Sequence, residues 1–195
     1  MRGCSGSGRT VIAGPREVAQ GFADHLNWLL NQTVSDARLT LVPSPRDEQE
    51  FALAHVVNGL ITPLELRGSR SLLFVEHRIA VVDARCATQS YSYRVHHGPE
   101  RADWLVRWEY LRDPPSPHYE YPLGHVHLNA AWVGAEGESL TAKAPKKLHF
   151  ATGRVPFELV LWQLIAEWGA QSREADWRKL FSDSIAGFEQ RRSAS

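Results

Sequence analysis

An α+β fold, a mostly antiparallel sheet flanked by N-terminal and C-terminal helices, is predicted by three observations. Apolar residues recur at helical spacing near both ends of the chain. Between them lie closely spaced segments in which apolar and polar residues alternate, the period of a half-buried strand. The connections between these segments are short, which favours antiparallel neighbours over crossovers.

Residues 1–14 are rich in Gly, Ser and Arg and are expected to form a loose leader. Residues 15–195 then make a single domain, with 15–62 helical, 70–152 sheet and 156–190 helical again. Val18, Phe22, Leu26 and Leu29 place a first amphipathic helix from Pro15 to Leu30. Leu39 to Val42 reads as a short strand. Ser44-Pro45 followed by Asp47 and Glu48 has the form of a helix start, predicting a second helix to Asn58 with Gly59 as its stop.

After Pro63 the pattern changes. Leu72–Val75 and Ile79–Asp83 predict two strands, with Glu76-His77-Arg78 as the turn between them. Tyr91, Tyr93 and Val95 alternate with Ser92, Arg94 and His96. Val106, Trp108 and Tyr110 alternate with Leu105, Arg107 and Glu109. The prolines of residues 113–117 predict irregular backbone, and His96-His97 before Gly98 predicts a loop tip. Strands are expected at Gly124–Asn129 and near Leu148–Phe150. Phe157, Val160, Leu161 and Leu164 mark a helix opened by Pro156, and Trp177, Phe181, Ile185 and Phe188 mark the last.

The 22 basic and 22 acidic residues cancel, so no whole-molecule field draws the chain to nucleic acid or an anionic membrane. Any nucleic-acid contact must be local. No run approaches the ~20 apolar residues needed to span a bilayer, and no membrane association is expected. Cys4 and Cys86 make no disulfide framework, and a reducing, cytoplasmic setting is the simplest expectation.

Six of the nine histidines (His96, His97, His118, His125, His127 and His149) lie between residues 96 and 149. In Gly124–Asn129, His125, His127 and Asn129 alternate with Val126 and Leu128, placing the polar groups on one strand face. Imidazoles change charge near neutral pH and can act as general base and general acid in one site. Arginine binds phosphate oxygens bidentately and stabilises developing negative charge. His125 and His127 are therefore the candidate acid–base pair, with His118 assisting and Arg94, Arg107 and Arg154 as substrate-binding residues. Such a set suffices to cleave RNA through its 2′-hydroxyl, with no cofactor and no obligatory metal.

Other readings stand beside this one. The histidines could hold a metal, with His118 or His149 completing the set of a metal-dependent hydrolase. They could equally be structural, on a non-catalytic interaction module whose Trp-rich C-terminal helices cover a partner. Tyr91, Tyr93, Trp104, Trp108 and Trp132 could stack on bases, but alternation along strands assigns them to the core. The lysines around Pro145 form a small basic edge, best read as a solvated loop.

His125-Val126-His127-Leu128-Asn129 distantly resembles the histidine strand of HIT-type nucleotide hydrolases, which carry a third histidine where this chain has Asn129. A second resemblance lies in motif order. Tyr91-Ser92-Tyr93, Leu105-Val106-Arg107-Trp108, His118, and Pro122 with His125-Val126-His127 follow one another as in the TumE-like toxins of bacterial toxin–antitoxin pairs. The resemblance spans roughly residues 90–165, and Glu109 stands where that family carries Asp. It implies growth inhibition through attack on RNA or another nucleic-acid target, and a protein antitoxin as partner. Oligomeric state is left open by the sequence.

Overall fold

Helix α1 (Pro15–Gln32) opens on Pro15, whose fixed φ suits the first helical position, and buries Ala19, Ala23, Leu26, Leu29 and Leu30. The computed structural model that shows this describes residues 13–98, 103–114, 116, 122–129 and 147–193. Ten strands follow α1: β1 (Thr40–Pro43), β2 (Glu50–Ala54), β3 (Val56–Val57), β4 (Leu60–Ile61), β5 (Leu64–Glu65), β6 (Leu72–Val82), β7 (Arg85–His96), β8 (Trp104–Leu111), β9 (Gly124–Asn129) and β10 (Lys147–Thr152). Two helices, α2 (Phe157–Ala166) and α3 (Trp177–Ser193), close the chain.

The main sheet runs β1-β2-β6-β7-β8-β9-β10, with β5 extending β2's edge of β6, and every pairing is antiparallel. The fold is α+β. One face carries Leu73, Val75, Tyr91, Tyr93, Val95, Val106 and Trp108 and packs against buried residues of all three helices, including Leu26, Leu161 and Phe181. Burying that apolar layer supplies the main drive for folding, on the order of 25 cal/mol per Å² removed from water.

The alternation that buries Tyr93 and Trp108 sends Arg94, Arg107 and Glu109 to the opposite face, because successive strand side chains point to opposite sides. Registry fixes which residues meet there. Arg107 pairs with His127 and Glu109 with His125 across β8 and β9. Gly124 is required where β9 meets the end of β10. A Cβ there would lie 2.6 Å from the Gly153 carbonyl oxygen and 2.9 Å from that of Thr152.

Three sequence expectations are corrected. The predicted helix from Ser44 to Asn58 is instead strand β2 and the β3–β4 hairpin. Phe51 and Leu53 alternate inward at period two, and Asn58 and Gly59 adopt φ of 53° and 79°, a hairpin turn rather than a helix stop. Leu72–Val75 and Ile79–Asp83 are not two strands: β6 runs unbroken through Glu76-His77-Arg78. The reversal comes later, where Asp83 and Ala84 take φ of 49° and 56°. His96 is no loop tip, since it ends β7 at 2% exposure and packs at a tilt against Phe74 with ring centroids 4.5 Å apart.

Candidate active site

The site grows out of two neighbouring strands. On β8, Arg107 and Glu109 are two residues apart and face the same side; on β9, His127 and His125 lie opposite them. Glu109 Oε2 is the common point. It lies 2.8 Å from His127 Nε2, 3.0 Å from Arg107 Nη2 and 3.6 Å from His125 Nε2. Arg107 Nη2 is also 3.4 Å from His127 Nε2, and the imidazole rings meet edge-on with centroids 4.5 Å apart. His125 Nδ1–H donates to the Pro122 carbonyl at 2.7 Å, which directs Nε2 at the carboxylate.

Burial divides the labour. His125 and His127 are 3% and 4% exposed, whereas the Glu109 and Arg107 side chains keep 28% and 24% of their surface. A carboxylate and a guanidinium are thus presented outward with imidazoles behind them. A groove of about 280 Å³ opens on this face, lined by Glu76, Arg78, Ser90, Ser92, Glu109 and His125. The Arg107 guanidinium rests 5.5 Å from the Trp104 ring centroid, a cation–π contact that orients it.

Of the residues expected from sequence, His125, His127 and Arg107 come together. Arg94 shares their face, opposite Arg107 on β7, but its guanidinium is paired with Glu76 and lies 5.3 Å from the Phe74 ring. Arg154 is separated from them. It follows β10 and lines a second cavity of about 70 Å³ between sheet and helices. His118, Trp132 and the lysine edge before residue 147 lie outside the described residues.

Glu109 was absent from the expected set. Its signal was its place beside Arg107 on one strand face, but the register bringing it to His125 depends on a connection of 12 residues between β8 and β9.

The second cavity is a polar enclave within the core. His77 Nδ1 meets Tyr93 Oη at 2.9 Å and His77 Nε2 meets Thr88 Oγ1 at 3.1 Å. Burial, reinforced by the Arg154 charge, lowers the His77 pKa to about 3, so the ring is neutral. The Tyr91 hydroxyl accepts from the Val155 amide at 2.6 Å, and burial pushes its pKa up to about 12. Ser184 Oγ–H donates to Glu158 at 2.7 Å. Burial raises the Glu158 pKa, but hydrogen bonds from His25 and Ser184 outweigh it and hold the carboxyl below its usual range. His25 uses Nε2 towards both Ser184 (3.0 Å) and Glu158 (3.9 Å), so it does not bridge them as the imidazole of a nucleophilic triad does.

No protein-family model matches the sequence, and neither the curated proteins nor the solved structures contain a chain similar to it.

Proposed function

We propose that this protein is a toxin-type or defence-associated ribonuclease that cleaves RNA through its 2′-hydroxyl. The observation that carries the reading is the contact set of one carboxylate, one guanidinium and two imidazoles, of which Glu109 and His125 line an open groove. Glu109 takes the 2′-hydroxyl proton as that oxygen attacks phosphorus, with the His127 N–H orienting the carboxylate. His125, anchored by Pro122 and lining the groove beside Glu109, supplies the Nε2 proton taken by the departing 5′-oxygen. Arg107 binds the phosphate and neutralises the charge that develops on its oxygens. The new bond is O2′–P and the broken one P–O5′.

Single-turnover cleavage of a mixed-sequence RNA tests this. Glu109→Gln and His125→Ala should each lower the rate by about 10²–10⁴-fold, the range for a general acid or base. Growth arrest on expression should follow the same order. Unchanged cleavage in a folded Glu109→Gln protein removes the mechanism.

A second reading, a partner-binding module, is favoured by the β3–β4 hairpin, which exposes Val57, Leu60 at 69% and Ile61 to solvent. The two readings are compatible if the partner is an antitoxin. A stable hetero-complex in native mass measurements, with no RNA cleavage by the freed chain, would favour the module alone.

A further inference from the structure

We propose that Glu109, His125 and His127 also form a site for a divalent transition-metal ion of the zinc type, and that this ion switches the proposed ribonuclease off. The catalytic consequence rests on the reading above; the binding does not. One ligand atom from each residue lies within 4.8 Å of the other two. For Zn²⁺ with bonds of about 2.0–2.1 Å, tetrahedral ligands stand about 3.3 Å apart. The separations of 2.8 Å and 3.6 Å between Glu109 Oε2 and the two Nε2 atoms bracket that edge, so small rotations of the side chains suffice.

The surroundings are also those of a ligand set. Donation of His125 Nδ1–H to the Pro122 carbonyl fixes the tautomer whose Nε2 lone pair can ligate, the support that metal-bound histidines usually have. All three residues stand on paired strands in fixed register, and two nitrogens with one carboxylate oxygen suit Zn²⁺ better than Mg²⁺ or Ca²⁺.

Arg107 is the competitor. Its guanidinium lies 3.0 Å from the same carboxylate oxygen and 3.4 Å from His127 Nε2, so it supplies the positive charge that a metal would supply. A doubly charged ion entering the set must displace it. Once bound, the ion takes the Glu109 oxygen that accepts the 2′-hydroxyl proton and the His125 lone pair that carries the acid's proton. Both acid–base groups are lost together.

The experiment titrates the full chain with ZnCl₂ by calorimetry, records the visible spectrum with Co²⁺, and follows RNA cleavage as Zn²⁺ is added and then removed with EDTA. Wild type should bind one Zn²⁺, give Co²⁺ bands of tetrahedral intensity, and lose cleavage in step with occupancy. Glu109→Gln and His127→Ala should weaken Zn²⁺ by at least about 10–100-fold, the cost of losing even an indirect support. Arg107→Gln should bind about 10-fold more tightly or better, a gain that misfolding does not mimic. Equal affinity across wild type, Glu109→Gln and Arg107→Gln overturns the site, and full occupancy with undiminished cleavage overturns the switch. A folded wild type that never cleaves RNA yet needs Glu109 and His127 for Zn²⁺ upholds the site and sinks the ribonuclease reading instead.

Discussion

Glu109 is the residue on which the account turns, because its one oxygen meets a guanidinium and two imidazoles on three sides. Removing its charge while keeping its shape leaves Arg107 and any protonated imidazole without their counter-ion. The Glu109 side chain keeps 28% of its surface, so water screens that loss, and Glu109→Gln should reduce catalysis far more than it reduces stability. On the opposite face, His77 acts on stability alone. Its pKa falls from the usual 6.5 to about 3 on burial, so the unfolded chain binds a proton that the folded one refuses. Stability from this group is complete above about pH 6.5 and is lost as pH falls towards 3. The slope approaches about 1.4 kcal/mol per pH unit within that window. Thermal melts of His77→Gln against wild type should show it: the variant, less stable at pH 7, loses less on acidification. Parallel acid limbs would contradict the assignment.

Among the elements, β9 matters most, since it carries both imidazoles. Gly124→Ala drives a methyl group into the Gly153 and Thr152 carbonyls, backbone atoms that cannot rotate away. Overpacking of this kind costs about 1–3 kcal/mol, and relief by shifting β9 would move His125 off Glu109. The variant should melt several degrees lower and cleave RNA more slowly even at temperatures where it is folded; a lower melt with unchanged turnover would uncouple strand position from the site. The alternation on β7 and β8 was legible in the sequence because one face is buried in each, and so were α1, α2 and α3 from their apolar stripes. On β9 the alternation was legible but the burial was not, since His125 and His127 are buried while Leu128 is 38% exposed. Two signals misled for identifiable reasons. Ser44-Pro45 with following acids has the chemistry of a helix cap, yet Phe51 and Leu53 are claimed by the sheet. His77, polar at the middle of an apolar run, resembled a turn residue because its partners Tyr93 and Thr88 come from the next strand. A bulge in the β6–β7 pairing between Arg78 and Ile79 lets both Tyr91 and Thr88 face inward, which no local pattern announces. His125, His127 and Arg107 could be named from alternation alone, whereas Glu109 needed the β8–β9 register.

For the whole molecule, charge balance shapes how RNA would be met on the proposed reading. With 22 basic and 22 acidic residues, the chain offers no extended positive field, and Arg94 is already paired with Glu76. On that reading substrate would be held by few phosphate contacts, Arg107 foremost. The logarithm of apparent affinity should fall with the logarithm of salt at a slope of about −1 to −2, since each single-strand phosphate contact contributes about −0.7. A slope near −5 would show a basic surface elsewhere. The layering of the fold has the same logic: helices cover one face of the sheet, and the charged comb and groove occupy the other.

The central claim is that Glu109, His125, His127 and Arg107 cleave RNA by transesterification. Its most direct test is the chemistry of the product ends. Wild type in EDTA, with a defined RNA oligonucleotide, should leave a 2′,3′-cyclic phosphate and a 5′-hydroxyl, identified by mass. The folded His125→Ala chain should leave the RNA intact over the same time. Products with 5′-phosphate ends, or cyclic-phosphate products formed at the wild-type rate by folded Glu109→Gln, would contradict the account.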